Sequence, residues 1–267
     1  MNFFFYISSY YLLIFSIIGF GFFFQRIILN EIDIRKINIG FIGIYGIFLL
    51  TLSSYISIIF IPHTYNFNLI LMSLGLIFFV KFLKKYFFLN KYNFFYLLII
   101  STIFILFIIG AKNHDDFPYY HFPYIHWLTK ENVLTGIGHF NHGFRTHSSI
   151  FFLSSLFNLP FTNYFLVHLS PVFFMIFCNL ILLNKIQKLL FESSKKKILI
   201  FSLFTLAFIN IFFYRMGEHG VDRTAQILIL IIFLIIFENF LYKFKKINNL
   251  DIANFFIIIS ITITLKT

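Results

Sequence analysis

The chain has 267 residues, 60% hydrophobic and 23% aromatic, with only 12% charged and a mean hydropathy of +0.88. Soluble domains carry roughly 25% charged residues, and a soluble fold of this size could not hide so much apolar surface, so a cytosolic globular enzyme, a disordered protein and a free-standing nucleic-acid-binding domain are excluded. An all-α polytopic membrane protein remains, and its formal charge of +11 (21 Lys and Arg against 10 Asp and Glu) bears on which side of the membrane the cations occupy.

In chain order, eight apolar stretches approach the length needed to cross ~30 Å of hydrocarbon at 1.5 Å per residue. They are 3–24, 39–61, 69–83, 94–110, 161–183, 198–214, 224–242 and 252–265, the third and last being short. The first is too long for a signal peptide and lacks its basic start and small-residue cleavage site. The high Ile content does not argue for strands, because a lone strand in lipid leaves its backbone groups unpaired and these runs lack the alternation of a barrel. Cys178 is the only cysteine and sits inside an apolar run, so no disulfide framework is available. Abundant Phe, Ile, Asn and Lys with scarce Ala is the bias of an AT-rich bacterial genome, a statement about codons.

The cations set the expected orientation. Connections after spans one, three, five and seven hold Arg26, Arg35, Lys36, Lys81, Lys84, Lys85, Lys91, Lys185, Lys188, Lys195, Lys196, Lys197, Lys243, Lys245 and Lys246, which is 15 of 21. The other side holds Lys112, Lys130, Arg145, Arg215 and Arg223, and Lys266 ends the last span. The positive-inside rule puts the first set in the cytoplasm and the N-terminus outside. His63, His114, His121, His126, His139, His142, His147 and His219 then fall in outer connections, with His168 near the outer end of span five. Asp115, Asp116, Glu131, Glu218 and Asp222 join them. The cytoplasmic face is mostly lysine, as topology requires, so function is expected on the outer face.

The connection 111–160 is far longer than the others and rich in aromatics: Phe117, Tyr119, Tyr120, Phe122, Tyr124, Trp127 and Phe140. Loops that long are usually functional or disordered, and this composition is not that of disorder. Asp115 and Asp116 precede Pro118, a first-turn proline, so a short helix is expected there. Pro123 breaks or restarts it, and a second short helix through Trp127 would lie at the lipid–water interface. Thr146 or Ser148 would cap a third helix over 149–159, ended by Pro160. The acidic pair reads either as a general base near a second like charge or as a helix cap without chemistry. His139, His142 and His147 could chelate a metal, but their spacing is loose and an interfacial or hydrogen-bonding role is the better reading. The connection 215–226 packs Arg215, Glu218, His219, Asp222 and Arg223 between two spans. Its arginines could hold a lipid phosphate by bidentate hydrogen bonds. The alternative is ordinary loop charge, with Asp222 capping the next span.

The fourth span and the long loop resemble the first span and first outer loop of the GT-C superfamily, multispan glycosyltransferases that take sugar from a polyprenyl-phosphate carrier. Many members carry Asp-Glu-x-x-Tyr after that span, a helix along the membrane, and then His-Pro-Pro. The matching text here is Asp115-Asp116-Phe117-Pro118-Tyr119 and later His147-Ser148-Ser149, over 94–159. Asp116 stands where Glu is commoner, Ser148 and Ser149 replace the prolines, and three spans precede the motif span. The resemblance implies that Asp115 is the general base, that Asp116 holds the second acidic position and that Tyr119 is positional.

A polyprenyl-phosphate-linked sugar would be the donor and a glycan, lipid or protein the acceptor, with the bilayer as the other partner and no nucleic acid. Arg145, Arg215 or Arg223 would stabilise the departing phosphate, with Glu218, His219, Asp222, His121 and His147 as further substrate contacts. Acidic groups at a phosphate site often hold a divalent metal (Mg or Mn), for which Asp115 and Asp116 are the candidate ligands. The implied location is a bacterial inner membrane, multi-pass, with the functional loops periplasmic or extracellular. The stop at Thr267 fits a truncated gene product, which would retain the motif and lack activity. Rival readings are an O-antigen polymerase or ligase-like enzyme, a transporter and a non-catalytic membrane subunit. The transporter is disfavoured because Glu238 is the only acid inside the assigned spans.

Overall fold

The computed structural model describes residues 3–29, 38–109, 115–133, 135–145, 147–192, 195–214, 221–241 and 249–265. Every regular element among the described residues is helical. Among the described residues, six helices are long and apolar enough to cross a membrane: Phe3–Ile27, Ile39–Phe60, Tyr65–Leu83, Tyr92–Ile109, Val167–Leu190 and Asp222–Leu241.

The first element, α1 (Phe3–Phe23), runs on through a π-helical turn, Phe24–Ile28. Next come α2 (Ile39–Phe60), whose first turn is capped by the Asn38 side chain accepting from the Gly40 amide at 2.9 Å, and α3 (Tyr65–Ile109). The long connection holds α4 (Phe122–Lys130) and α5 (Ser149–Ser155). Then follow α6 (Ser170–Leu190), α7 (Lys196–Phe212), α8 (Val221–Leu241) and α9 (Asn249–Leu265). Both α7 and α9 have 17 residues, about 25 Å of helix.

The stretch α3 is helical along its length, yet it is not straight. Fifteen residues of straight helix rise roughly 22 Å, whereas the rings of Phe79 and Phe94 are centred 6.3 Å apart. Phe15 of α1 stacks on both. Ser16 donates to the Met72 carbonyl at 2.9 Å, and Tyr10 to the Ser101 carbonyl at 2.8 Å. The chain therefore reverses between Phe79 and Phe94, and two antiparallel spans pack against α1. Small residues allow that approach: a Cβ on Gly19 would lie 1.9 Å from the Gly75 carbonyl oxygen. Helices in lipid gain from such van der Waals contact rather than from a hydrophobic difference.

At the centre sits α6. Its most apolar window is 83% buried, against 22% for the first half of α3. Around it pack α2, α3, α7 and α8, with α9 against α8 and α2. Inside this apolar layer the Asn210 amide donates to the Asn179 side-chain oxygen at 2.7 Å, tying α7 to α6.

The fifth span begins later than expected. Phe161 and Asn163 take φ of +66° and +48°, values that break a helix for any residue with a Cβ. The apolar run over 161–166 is therefore turn, and Phe161 is 91% exposed. Helix geometry starts at the short turn Val167–Leu169 and continues from Ser170, with Pro171 in the first turn where its missing N–H does no harm. Likewise α5 stops at Ser155 rather than at Pro160. Its cap is Ser148, whose hydroxyl accepts from the Ile150 amide and donates to the Leu265 carbonyl of α9 at 2.6 Å.

The loop packs over one end of the bundle, here called the histidine end. The His63 amide donates to the Leu128 carbonyl at 2.9 Å. Asn68 donates to the carbonyls of His63, Ser155 and Asn158. The His63 ring lies between Ser57 (3.0 Å) and Ser155 (2.6 Å). All of α5 is buried, so it is a structural plug between the spans.

Burial pushes the His63 imidazole down from 6.5 to about 4. A folded pKa below the unfolded one means that the unfolded chain binds the extra proton. This contribution to stability is therefore complete above pH 6.5 and is lost as pH falls through about 4. Thermal unfolding in detergent should show a midpoint that drops between pH 7 and pH 5, with a smaller drop in His63→Gln. An equal drop in the two proteins would show that His63 is not the group responsible.

Candidate functional site

The site is built where the loop begins. Asp115 is exposed and Asp116 half-buried. Asp116 occupies the position before a π-helical turn, Phe117–His121, but its side chain makes no capping bond there. It instead hydrogen-bonds the hydroxyl of Tyr120, four residues on. Helical residues four apart share a face, which explains the pairing.

The Tyr120 phenol is pushed up by burial first, then by the negative charges of Asp116 and Asp222 and by the hydrogen bond to Asp116. A raised phenol stays protonated and is the donor in that bond. Asp222 belongs to the first turn of α8, so acids more than a hundred positions apart in sequence act on one hydroxyl. Arg223, half-buried, follows Asp222 in the same turn.

The other expected residues are distributed around this cluster. Tyr119 is 62% exposed, and its carbonyl accepts from Asn141 at 3.3 Å. His121 is 4% exposed, packed edge-on to Tyr120 with ring centres 4.3 Å apart and tilted against Phe151 at 5.0 Å. That is a core position rather than a substrate-facing one. Arg145 is exposed, and its Nε donates to the Gly138 carbonyl at 3.1 Å, leaving the terminal guanidinium nitrogens outside that bond. His147 Nδ1 lies 2.8 Å from the Tyr124 hydroxyl. Burial raises the Tyr124 phenol to about 12, so it too stays protonated. Arg215, Glu218 and His219, with His114 and Thr146, lie outside the described residues.

His139 and His142 are exposed in short 3-10 turns. Among the described residues no group of three or more His, Cys, Asp or Glu converges in a way that could hold a metal. Asp115 and Asp116 are only two carboxylates, and one is engaged by Tyr120. The described residues therefore do not fit a metal site made by the protein alone. A cavity of about 70 Å³ lies beside His147, lined by Tyr124, Trp127, Ile137 and Phe152 among others. It is far smaller than the roughly 300 Å³ at which small-molecule pockets begin.

Sequence reasoning missed Tyr120. The signal was present in the four-residue spacing from Asp116, but an aromatic among eleven in one loop does not stand out without its neighbours.

Fold and site together define an all-helical protein with helices suited to a bilayer, and with a packed loop that presents acids and phenols at one end. The chain belongs to the family of the domain of unknown function DUF8201, whose model matches residues 1–267. No curated protein and no solved structure matches it.

Proposed function

We propose that this protein is a membrane glycosyltransferase that moves a sugar from a polyprenyl-phosphate carrier to an acceptor on the outer face of a bacterial inner membrane. The observation that carries the reading is that the negative charges of both Asp116 and Asp222 act on the Tyr120 phenol. A general base and a leaving-group stabiliser must flank one anomeric carbon, and this shared influence on one phenol supports drawing them from the loop start and the first turn of α8.

In the proposed reaction the exposed Asp115 carboxylate takes the proton of an acceptor hydroxyl. The acceptor oxygen bonds to the anomeric carbon as the bond from that carbon to the phosphate oxygen breaks. Polyprenyl phosphate leaves, the configuration inverts, and Arg223 with Arg145 stabilises the growing negative charge. Asp116, held by Tyr120, fixes the start of the loop helix and so the direction in which Asp115 points. With α7 and α9 added to the six long helices, the chain crosses the bilayer eight times, lysine-rich end inward.

Two measurements test the proposal. Reporter fusions after Asn38, Lys91, Lys196 and Lys246 should report cytoplasm, and those near Asn66, Thr135 and Gly220 the outside. Two reversed loops would overturn the orientation. Membranes containing the protein, supplied with polyprenyl-phosphate-linked sugars and candidate acceptors, should release polyprenyl phosphate together with a glycosylated product. No release with any donor would sink the enzymatic reading and leave a non-catalytic membrane subunit.

A further inference from the structure

The opposite, lysine-rich end of the bundle holds a cavity of about 270 Å³ between α1, α2, α6, α8 and α9. It is polar for its position, with Gln25, Asn184, Lys185, Lys188, Glu238 and Asp251 in its wall. Gln25 is 3% exposed, and its Oε1 has no hydrogen-bond partner. The Oδ1 of Asn184 is likewise buried and unpartnered, while its amide donates to Asn93 at 3.1 Å. Buried acceptors without partners are rare and destabilising. Two residues with such acceptors in the wall of one cavity point to a ligand that brings N–H or O–H donors.

The charges narrow the class. Lys185 pairs with Glu238, and Lys195 with Glu192, so four of the six charged groups in the wall are matched internally. The other two, Lys188 and Asp251, are one of each sign, and both are exposed. Asp251 and Ile235 also line a second cavity of about 350 Å³, whose remaining wall is Ile236, Asn239, Phe240, Ile252, Phe255 and Phe256. Four of these, Ile236, Phe240, Ile252 and Phe256, are exposed, so the groove opens on the surface that faces lipid tails. A polar cavity and an apolar groove thus share a wall.

We infer that this is a binding site for a phospholipid whose zwitterionic headgroup carries an ammonium with N–H donors. The ammonium enters toward Gln25, Asn184 and Asp251, the phosphate lies at Lys188, and an acyl chain occupies the groove between α8 and α9. The site lies at the far end of the bundle from Asp116 and does not depend on the glycosyl transfer proposed above.

The test uses the purified full chain in detergent, with bound lipid measured by native mass spectrometry. Dioleoyl lipids with ethanolamine, choline and glycerol headgroups are added singly at equal concentration. The ethanolamine lipid should bind roughly tenfold tighter than the choline lipid, which has no N–H to offer. Both Gln25→Leu and the exposed-site variant Asp251→Asn should reduce that ratio toward one. Free phosphoethanolamine should not compete at the same concentration, because it lacks the chain that fills the groove. Equal binding of ethanolamine and choline lipids by the unaltered protein would overturn the inference and leave water as the occupant of the cavity. Tighter binding of the glycerol lipid would overturn the zwitterion assignment, and effective competition by free phosphoethanolamine would remove the groove from the site. An undiminished ratio in a folded Asp251→Asn protein would remove the charged contact on which the headgroup assignment rests.

Discussion

Asp115→Asn is expected to lower sugar transfer by roughly 10²–10⁴, the usual contribution of a positioned general base, while the protein still inserts and folds. The substitution keeps the shape and removes the proton acceptor at an exposed position in a turn, so little packing is at stake. Tyr120→Phe should act differently. It removes the hydroxyl that holds Asp116 and leaves Asp115 chemically intact, so the rate should fall by less and the pH dependence should keep its shape. Asp116→Asn should resemble Tyr120→Phe rather than Asp115→Asn, because an amide oxygen can still accept from the phenol. Rates in membranes, normalised to folded protein and followed over pH, separate these cases. Equal rates for Asp115→Asn and the unaltered protein would remove Asp115 as the base. A loss confined to Arg145→Ala and Arg223→Ala would favour the O-antigen polymerase or ligase-like alternative, which relies on outer arginines.

The second large effect concerns assembly. Gly19→Ala places a Cβ 1.9 Å from the Gly75 carbonyl oxygen and 2.8 Å from the Phe79 amide nitrogen. Gly46→Ala places one 1.9 Å from the Ile17 carbonyl oxygen. Both obstacles are backbone, so neither clash can be relieved by turning a side chain. The helices must separate, and overpacking of this kind costs about 1–3 kcal/mol. Each variant should show a lower unfolding midpoint in detergent and a lower yield. Gly138→Ala is the control, since its Cβ would come within 3.0 Å of the Arg145 side chain and meet the backbone of that residue only at the ordinary contact distances of 3.6 and 3.8 Å. Equal midpoints for Gly19→Ala and Gly138→Ala would mean that α1 and α3 are not packed as described.

Hydropathy alone carried the expectation of an all-helical chain with helices fit to span a bilayer. Apolar length is additive along a sequence, and in lipid the backbone must satisfy itself within each segment. The short helices of the long connection were also readable, because Pro118, Pro123 and Ser148 act on their immediate neighbours. Boundaries set by the backbone were not. Phe161 and Asn163 carry positive φ, which apolarity does not encode, and the start of the fifth span moved accordingly. The reversal between Phe79 and Phe94 was expected from two separate apolar stretches, 69–83 and 94–110, whereas the stacking of Phe15 on both rings is a tertiary contact that the sequence does not encode.

The candidate site divides along the same line. The sequence by itself marked Asp115 and Asp116, because two acids before a proline at the end of a span are a local pattern. It could not assign Asp116 to Tyr120 in preference to a cap, nor show that the charge of Asp222 acts on the same phenol. It also left Gln25 without a role just beyond the first stretch and Glu238 as a lone acid near the end of a span, although the first lines a cavity and the second pairs with Lys185. Local pattern fixes which segments are helical and which residues carry charge. Which charges meet depends on contacts between distant segments, made through the packing of α6 with its neighbours, and only the tertiary structure decides those.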